Sequence, residues 1–297
     1  MTAVTLVLAG TAVVACKDDM ERKPADLEKV SLQDTRVEPP GANCQYGGIA
    51  ARTGLDDDDD GVLADSEVTA TTYDCGAPVQ RSAGAITTQA QADALADVDI
   101  ITGNLIVDGG DVTSLTLPKL QRVHGGVTIT DNASLTSIAL AALTTVDGAF
   151  DVDGNGALAT IDLGSLATVG GHCVVTAAAG TTSIDLGALA SITGDFALNG
   201  GGSNAAVTLH PPSSVGQDMT IDGLKLTALA FDAGSTGGDL SISNNGVLTA
   251  LTANGAVTVG GKVYVTNNPT LATAVASTFA ASTSASAVNR IIKGNAP

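Results

Sequence analysis

The stretch LTLPKLQRVHGGVTITDNASLTSI, residues 115–138, decides the fold of this chain. Its apolar residues alternate with polar ones over short runs, first in LTL and then, after Gly125, at Val127 and Ile129. Alternation with a period of two turns one side of a strand inward. The Gly, Asn and Asp residues between the runs are turn formers. The stretch therefore predicts two short β-strands joined by turns, without a helix.

The same pattern recurs through most of the chain. Each frame opens with Gly, once with Gln, and has apolar residues at the second and fourth positions after it. The frames are 21–23 residues apart and begin at Gly103, Gly125, Gly148, Gly171, Gly194, Gln217, Gly238 and Gly261. One repeat cannot bury its apolar side, whereas stacked repeats can, each pairing with the next at ~4.8 Å. We expect an all-β protein, a right-handed β-solenoid of about eight 21–23-residue coils with short capping helices, plus a small Cys-bounded N-terminal module.

Composition agrees with a thin, layered core and limits the partners. Hydrophobic residues make up 44% of the 297 residues and aromatic residues only 2%, so aliphatic side chains must fill the core. The net charge is −18, and the 13 Lys and Arg residues are scattered. Binding to nucleic acid through its phosphates requires clustered basic residues. We therefore expect no nucleic-acid partner.

Asn recurs at the seventh position of the frames. A stacked Asn can satisfy backbone groups at a turn and pair with the coil above it. We expect a structural ladder of this kind from Asn132, Asn155, Asn245 and Asn268.

Both ends of a solenoid need caps, because an exposed edge strand invites aggregation. Thr88 and Gln91 match a capping box and predict a short helix over 89–97. The Ala-rich segment 271–281 is expected to cover the last coil, and 288–295 is expected to form a final strand.

The combined pattern L-x-L-x-x-L-x-x-V-x-G-x-Φ-x-Φ-x-x-N-x-x-L resembles the receptor L domain. That domain is the ligand-binding solenoid of insulin and EGF receptors and of fungal cell-wall proteins. The resemblance covers roughly 84–297 and is best in 115–138. It implies a ligand-binding solenoid but carries over no binding residue. The chain departs from the pattern at His210-Pro211-Pro212, where the usual Leu is replaced, and it lacks the family's disulfides.

The N-terminus predicts export and a lipid anchor. Residues 4–15 are uncharged but too few for a membrane-spanning helix, which needs ~20 residues, and they fit the apolar part of a signal peptide. Val13-Val14-Ala15-Cys16 resembles a bacterial lipobox, which implies lipidation of Cys16. The alternative is a plain secretory peptide with a chance Cys, and the usual basic start is missing. We expect a lipid-anchored protein of the cell envelope, outer membrane, periplasmic or surface-facing, of a Gram-negative bacterium.

The four Cys residues help to set the segment boundaries. Cys44 and Cys75 predict a disulfide in an exported chain, and Cys173, at an inward repeat position, predicts a buried thiol. The expected segments are the signal peptide 1–15, the lipidated Cys and tether 16–43, the disulfide-bounded acidic module 44–75, the linker and N-terminal cap 76–98, and the solenoid with its C-terminal cap 99–297.

An acidic loop between Cys44 and Cys75 matches the spacing of a twelve-residue calcium loop. The expected ligands are Asp56, Asp58, Asp60, the Val62 carbonyl and Glu67, with Gly61 at the sharp turn. The alternative is a solvated acidic run, because five consecutive Asp residues fill alternate positions whether or not a site exists. The module also resembles small Cys-bounded acidic modules of Gram-negative lipoproteins, which implies a folded unit without an activity.

The sequence favours a displayed surface over catalysis. His124 and His172 sit beside repeat glycines and read as isolated turn residues, and no Ser–His–Asp or HExxH spacing occurs. Solenoid polysaccharide lyases and hydrolases are the enzymatic alternative, for which Asp151 and Asp153 supply a carboxylate pair. We expect a non-enzymatic envelope protein that binds an unknown protein or glycan. The other alternative is a purely structural envelope protein.

Overall fold

A computed structural model describes residues 30–200, 206–209 and 211–297. The expected signal peptide 1–15, the lipidation residue Cys16 and the departure at His210 fall outside this part of the chain. The chain divides into two compact units, Met1–Pro78 and Val79–Pro297. In the described ranges, no helix has the length and apolar character needed to cross a membrane.

The N-terminal unit is a three-stranded antiparallel sheet. Its strands, in the order β1-β2-β3, are β1 (Ser31–Glu38), β2 (Gly48–Leu55) and β3 (Val68–Cys75). The segment assigned to the tether thus contains β1, which pairs with β2 along its whole length and buries Leu32. Within the described residues, folded structure is thus present from Ser31, ahead of the expected module boundary at Cys44.

The second unit is a β-solenoid whose strands pair in parallel from one coil to the next. A ten-stranded sheet contains Ala85–Ile86, Leu105–Asp108, Val127–Thr130, Phe150–Asp153, Cys173–Thr176, Phe196–Asn199, Met219–Asp222, Leu240–Ser243, Val263–Thr266 and Arg290–Lys293. A nine-stranded sheet contains Gln80–Arg81, Ile100–Ile101, Arg122–Val123, Thr145–Val146, Thr168–Val169, Ser191–Ile192, Ser214–Val215, Gly234–Thr236 and Val257–Val259. A five-stranded sheet contains Ser114–Thr116, Ser137–Ala139, Thr160–Asp162, Ser183–Leu186 and Ala206–Leu209, and a two-stranded sheet contains Ala228–Phe231 and Ala250–Ala253.

The expected all-β solenoid is confirmed, with about nine turns where about eight were predicted. All eight frames form strands of the ten-stranded sheet. The residues at their second position are at most 1% exposed: Leu105, Val127, Phe150, Cys173, Phe196, Met219, Leu240 and Val263. The ten-stranded sheet gains Ala85–Ile86 before the first frame and Arg290–Lys293 after the last. Neither strand follows the Gly frame. The repeat count therefore missed Ala85–Ile86, whereas the final strand was expected separately, from the segment 288–295.

Six of the seven frame glycines lie where successive coils approach closely. A Cβ on Gly148 would lie 2.7 Å from the nitrogen of Gly126 and 2.9 Å from the carbonyl carbon of Gly125. A side chain at this corner would push the coils apart. Close coil stacking therefore explains Gly at six of the seven frames that open with it, whereas a Cβ on Gly103, in the first frame, would meet nothing within 4 Å.

Two short helices cover the ends of the solenoid. Helix α1 (Gln89–Asp93) has the expected capping box but ends before residue 97, because the chain turns there to bury Leu95 and Val98. Helix α2 (Thr273–Ser282) buries Phe279, whose ring centroid lies 5.3 Å from that of Phe231. A 3-10 helix, Ala287–Asn289, leads into the final strand.

The side chain of Gln89 closes one sheet edge. Its Oε1 accepts from the backbone nitrogens of Thr113 (2.9 Å) and Ser114 (3.1 Å), and its Nε2 donates to the Ser114 carbonyl (3.0 Å). One primary amide therefore makes the hydrogen bonds that a further strand would make.

Candidate functional site

The N-terminal unit is closed by a disulfide between Cys44 and Cys75, with a Cα–Cα distance of 5.2 Å. Cys75 ends β3 and is paired with Gly48 of β2. The bridge therefore fixes the segment before β2 to the end of β3. The acidic loop connects the other ends of the same two strands.

A buried arginine attaches the acidic loop to this sheet. Arg52 of β2 donates to both carboxylate oxygens of Asp34, to Asp65 of the loop and, at 3.4 Å, to the carbonyl of Leu63. The hydrogen bond from Arg52 is the largest cause of the lowered pKa of Asp34. Arg36 also pairs with Asp65, at 3.0 Å. The loop is thus held against one face of the sheet by charge pairing as well as by the chain.

Three of the predicted calcium ligands converge. One carboxylate oxygen each from Asp56, Asp58 and Asp60 lies within 4.8 Å of the others. Asp56 accepts from the nitrogens of Asp60 (3.1 Å) and Gly61 (2.9 Å), and Asp60 accepts from that of Val62 (2.7 Å). Gly61 has φ +76°, which a residue with a side chain adopts only with strain. The tight turn brings the alternate carboxylates to one side.

Of the two remaining predicted ligands, Glu67 does not join this group. Glu67 is buried, and its two carboxylate oxygens accept from the backbone nitrogens of Asp57 (2.7 Å) and Ala64 (2.8 Å). Its carboxylate therefore closes the loop on itself. The side chain of Val62, whose carbonyl is the other predicted ligand, is exposed. Among the predicted carboxylate ligands, the structure brings together Asp56, Asp58 and Asp60.

The three carboxylates repel one another. The pKa of Asp58 is raised, although the largest single influence, a hydrogen bond from the Asp60 nitrogen, lowers it. Desolvation and repulsion from Asp60, Glu67 and Asp56 outweigh that bond. A bound cation would relieve this repulsion.

The predicted Asn ladder residues are buried at the turns and bonded from coil to coil. Asn132 donates to Asn155 at 3.0 Å, and Asn245 donates to Asn268 at 3.2 Å. The ladder continues to Asn295, which sequence reasoning missed and whose Oδ1 accepts from Asn268 at 3.2 Å. Each side-chain amide also satisfies backbone groups of the preceding coil or its own turn.

A second ladder lies directly after the frame glycines and was also missed. Its side chains each accept from the backbone nitrogen at the same position of the next coil, as Asp195 does from Asp218 (2.9 Å) and Asp218 does from Asp239 (2.7 Å). Asn104 and Asp239 do the same for Gly126 and Lys262. The recurrence of Asn or Asp after four of the eight frame openings was the available signal.

The two histidines on the described solenoid are paired and not isolated. His124 Nδ1 lies 2.8 Å from Asp147, and His172 Nε2 lies 2.9 Å from Asp151. Burial raises the pKa of Asp147, but hydrogen bonds from His124 and Arg122 outweigh burial and lower it. Both contacts join neighbouring coils. The two His–Asp contacts therefore explain both histidines as members of inter-coil pairs on an exposed surface.

The outward side of the ten-stranded sheet carries short polar side chains. One outward column holds Asp108, Thr130, Asp153, Thr176, Asn199, Asp222 and Ser243. Hydrogen bonds connect some neighbours, such as Ser243 to Asp222 at 2.6 Å and Asn199 to Thr176 at 3.4 Å. Asp151 and Asp153 both point outward on one strand. The column repeats at the coil spacing of ~4.8 Å and is held by the backbone ladder.

The one unpaired cysteine among the described residues lies on the opposite, inward side of the same sheet. Cys173 is fully buried, and burial raises the pKa of its thiol to about 12. The thiolate is the reactive form, so this side chain acts as a small apolar residue.

Comparison with known proteins identifies one segment. Residues 31–75 match the family described as Domain of unknown function (DUF7151). The matched range begins at the first residue of β1 and ends at the last residue of β3, so it coincides with the three-stranded sheet of the N-terminal unit. It contains the acidic loop and the disulfide. No curated protein and no solved structure matches the chain.

Proposed function

We propose that this protein is a lipid-anchored component of the cell envelope whose solenoid binds a protein or a glycan. The observation that supports this proposal is the outward side of the ten-stranded sheet, where short polar side chains repeat from coil to coil. The backbone ladder holds this surface rigid, so little conformational entropy is lost when a partner binds. The resemblance of the repeat to receptor L domains supports the same proposal.

A purely structural envelope role is the alternative. Its support is the extent to which polar side chains serve the solenoid itself. Hydroxyls such as those of Thr136 and Thr182 donate to carbonyls of the preceding coil, at 2.9 and 3.1 Å. Side chains used in this way are not available to a partner. Within the described residues, the outward hydroxyls of Thr128 and Thr220 make no such bond and are available to a partner. Replacing these two residues therefore distinguishes a binding role from a purely structural one.

The test compares two faces of the solenoid. The wild-type chain is used to probe a glycan array and to retain proteins from envelope extracts. A double variant, Thr128→Arg with Thr220→Arg, places two long cationic side chains on the ten-stranded face. The matched control, Thr168→Arg with Ser214→Arg, changes the nine-stranded face. Specific retention that the first variant loses and the control keeps supports binding. Absence of any specific partner supports the structural role.

Anchoring makes a separate prediction. Replacing Cys16 by Ser removes the proposed lipid site, so the protein should move from the membrane to the soluble fraction. Detergent phase separation of cells expressing each form measures this shift. A Cys16→Ser protein that still partitions with detergent contradicts lipidation at Cys16. A lipid anchor with two acyl chains is sufficient to hold a protein at the membrane without a spanning helix.

We further propose that the acidic loop binds calcium. Calcium is a hard cation that takes six to eight oxygen ligands, and the converged carboxylates supply three of them. The hydrogen bonds that Asp56 accepts from Asp60 and Gly61 prearrange its carboxylate. Glu67 would have to exchange its backbone bonds for the ion to join the site. Arg52 holds the loop against the sheet while it does so, and the disulfide joins the far ends of β2 and β3, the two strands that carry the loop.

Calorimetry on the full chain tests this proposal with a matched pair of variants. Asp58→Asn removes one negative charge from the converged group and should weaken calcium binding by about tenfold or more. Asp59→Asn removes the same charge at a neighbour outside the group and should change affinity much less. Reduction of Cys44–Cys75 should also weaken binding. Absence of measurable heat in the wild-type chain, or equal effects of the two variants, contradicts the site.

A further inference from the structure

Four asparagines are followed by glycine: Asn155, Asn199, Asn245 and Asn254. In such a pair the glycine nitrogen can attack the side-chain amide carbon, because no glycine side chain hinders the approach. The reaction needs an exposed amide, freedom to rotate and an uncommitted glycine N–H. The structure gives the four pairs very different surroundings.

Two of the pairs are protected by the Asn ladder. Asn155 and Asn245 are buried, and their amide groups are bonded on both sides. Asn155 donates to the carbonyls of Ile129 (2.7 Å) and Asp153 (3.0 Å) while its oxygen accepts from Asn132. Attack on such an amide requires local opening of the coil.

The third pair is protected by its backbone. Asn199 ends a strand of the ten-stranded sheet, and the nitrogen of Gly200 donates to the carbonyl of Asp222 at 2.7 Å. The attacking atom is therefore already part of an inter-coil hydrogen bond.

The fourth pair has none of these protections. Asn254 is exposed and lies directly after the strand Ala250–Ala253. Its side chain makes one bond, from Nδ2 to the carboxylate of Asp232 at 3.1 Å. Within the described part of the chain, the Gly255 nitrogen donates no hydrogen bond. The attacked amide is therefore exposed, and the attacking nitrogen is not engaged in a hydrogen bond.

We propose that Asn254 is a site of spontaneous deamidation, whereas the other three Asn–Gly pairs are stable in the folded protein. The nitrogen of Gly255 bonds to Cγ of Asn254, and the side-chain nitrogen leaves as ammonia, taking the proton of the Gly255 amide. Water then opens the resulting cyclic imide by adding to one of its two carbonyls. The product is Asp when water breaks the bond between the Gly255 nitrogen and Cγ. It is isoaspartate when water breaks the bond between that nitrogen and the main-chain carbonyl carbon of residue 254.

The product changes the last coils of the solenoid. The new carboxylate stands where an amide donated to Asp232, so a hydrogen bond becomes a repulsion between like charges. Isoaspartate also inserts a methylene into the backbone next to the nitrogen that donates to Phe231, at 2.7 Å. Phe231 packs on α2 through Phe279. Deamidation at Asn254 should therefore loosen the packing of α2, the helix that caps the C-terminal end of the solenoid.

Peptide mapping by mass spectrometry tests the proposal. The full chain is incubated at mildly alkaline pH, folded and in urea, and Asp and isoaspartate are quantified at all four positions. In the folded chain, Asn254 should react close to its rate in urea. The other three should react at least about tenfold slower folded than unfolded, because each must wait for local opening.

Asn254→Gln provides the matched variant, since it keeps the amide but requires a larger ring. Its folded chain should lose the product at that position and leave the other three positions unchanged. Protection of Asn254 equal to that of Asn155 and Asn245 would overturn the proposal. So would reaction of either buried residue as fast as Asn254 in the folded chain.

Discussion

Replacing Val152 by Asp is expected to lower the free energy of unfolding by about 3–5 kcal/mol at neutral pH. Val152 is fully buried and pairs with Ile129 below and Val175 above. A carboxylate there would lie between aliphatic side chains of the two neighbouring coils, within an apolar core. Chemical denaturation, followed by circular dichroism, measures the loss. Hydrogen exchange should show the damage first in the strands Val127–Thr130 and Cys173–Thr176, because coils couple mainly to their neighbours.

The neighbouring residue provides the control. Asp153 is exposed on the same strand, so Asp153→Ser should change the free energy of unfolding by less than ~0.5 kcal/mol. Burial raises the pKa of an introduced carboxyl at position 152 in the folded state. The penalty should therefore be complete at neutral pH and shrink as the pH falls toward ~4. Equal losses for the two variants, or a pH-independent loss for Val152→Asp, would refute the inward register of this strand.

Replacing Asn268 by Ala is expected to cost about 2–4 kcal/mol. Asn268 is fully buried and accepts from both the backbone and the side-chain nitrogen of Asn245, at 3.0 and 3.2 Å. It also donates to the carbonyls of Ile242 and Thr266, at 3.0 and 3.1 Å. Truncation leaves these buried groups without partners and opens a small void. The loss should be measured by the same denaturation method, with hydrogen exchange at the nitrogen of Asn245 as a local readout.

An exposed asparagine on a neighbouring coil separates this effect from a general cost of losing Asn. Asn254 makes one side-chain bond and is open to water, so Asn254→Ala should cost under ~0.5 kcal/mol. A small loss for Asn268→Ala, similar to that of the control, would mean that the ladder contributes little to stability. Water would then have to reach the turn and satisfy the exposed backbone groups.

The coil that begins at Gly171 has Ala178, and not Asn, at the ladder position. Ala177 and Ala178 occupy the sixth and seventh positions of the frame at Gly171. Asp131 and Asn267, which precede ladder residues, have φ near +55°, whereas Ala177 is not in that region. Thr181 is buried nearby and donates to the carbonyl of Leu158 at 2.7 Å. A different turn with a hydroxyl donor thus replaces the asparagine at this coil.

The sequence by itself determined the repeat and which side of each strand faces inward. Both depend on local patterns: the period of two within a strand and the spacing of 21–23 residues between frames. The capping box at Thr88 was equally visible, because its two partners lie three residues apart. The Cys44–Cys75 bridge followed from the number and placement of cysteines in a chain expected to be exported.

Only the tertiary structure decided how polar side chains are used between coils and within the loop. Gln89 closes the edge at Thr113, and Asp195 caps the nitrogen of Asp218 one coil away. Glu67, expected to face a cation, instead bonds to backbone nitrogens of its own loop. Apolar burial is non-directional and follows a one-dimensional pattern, so the sequence reveals it. A hydrogen bond requires a particular distance and angle between atoms, and only the folded chain sets these.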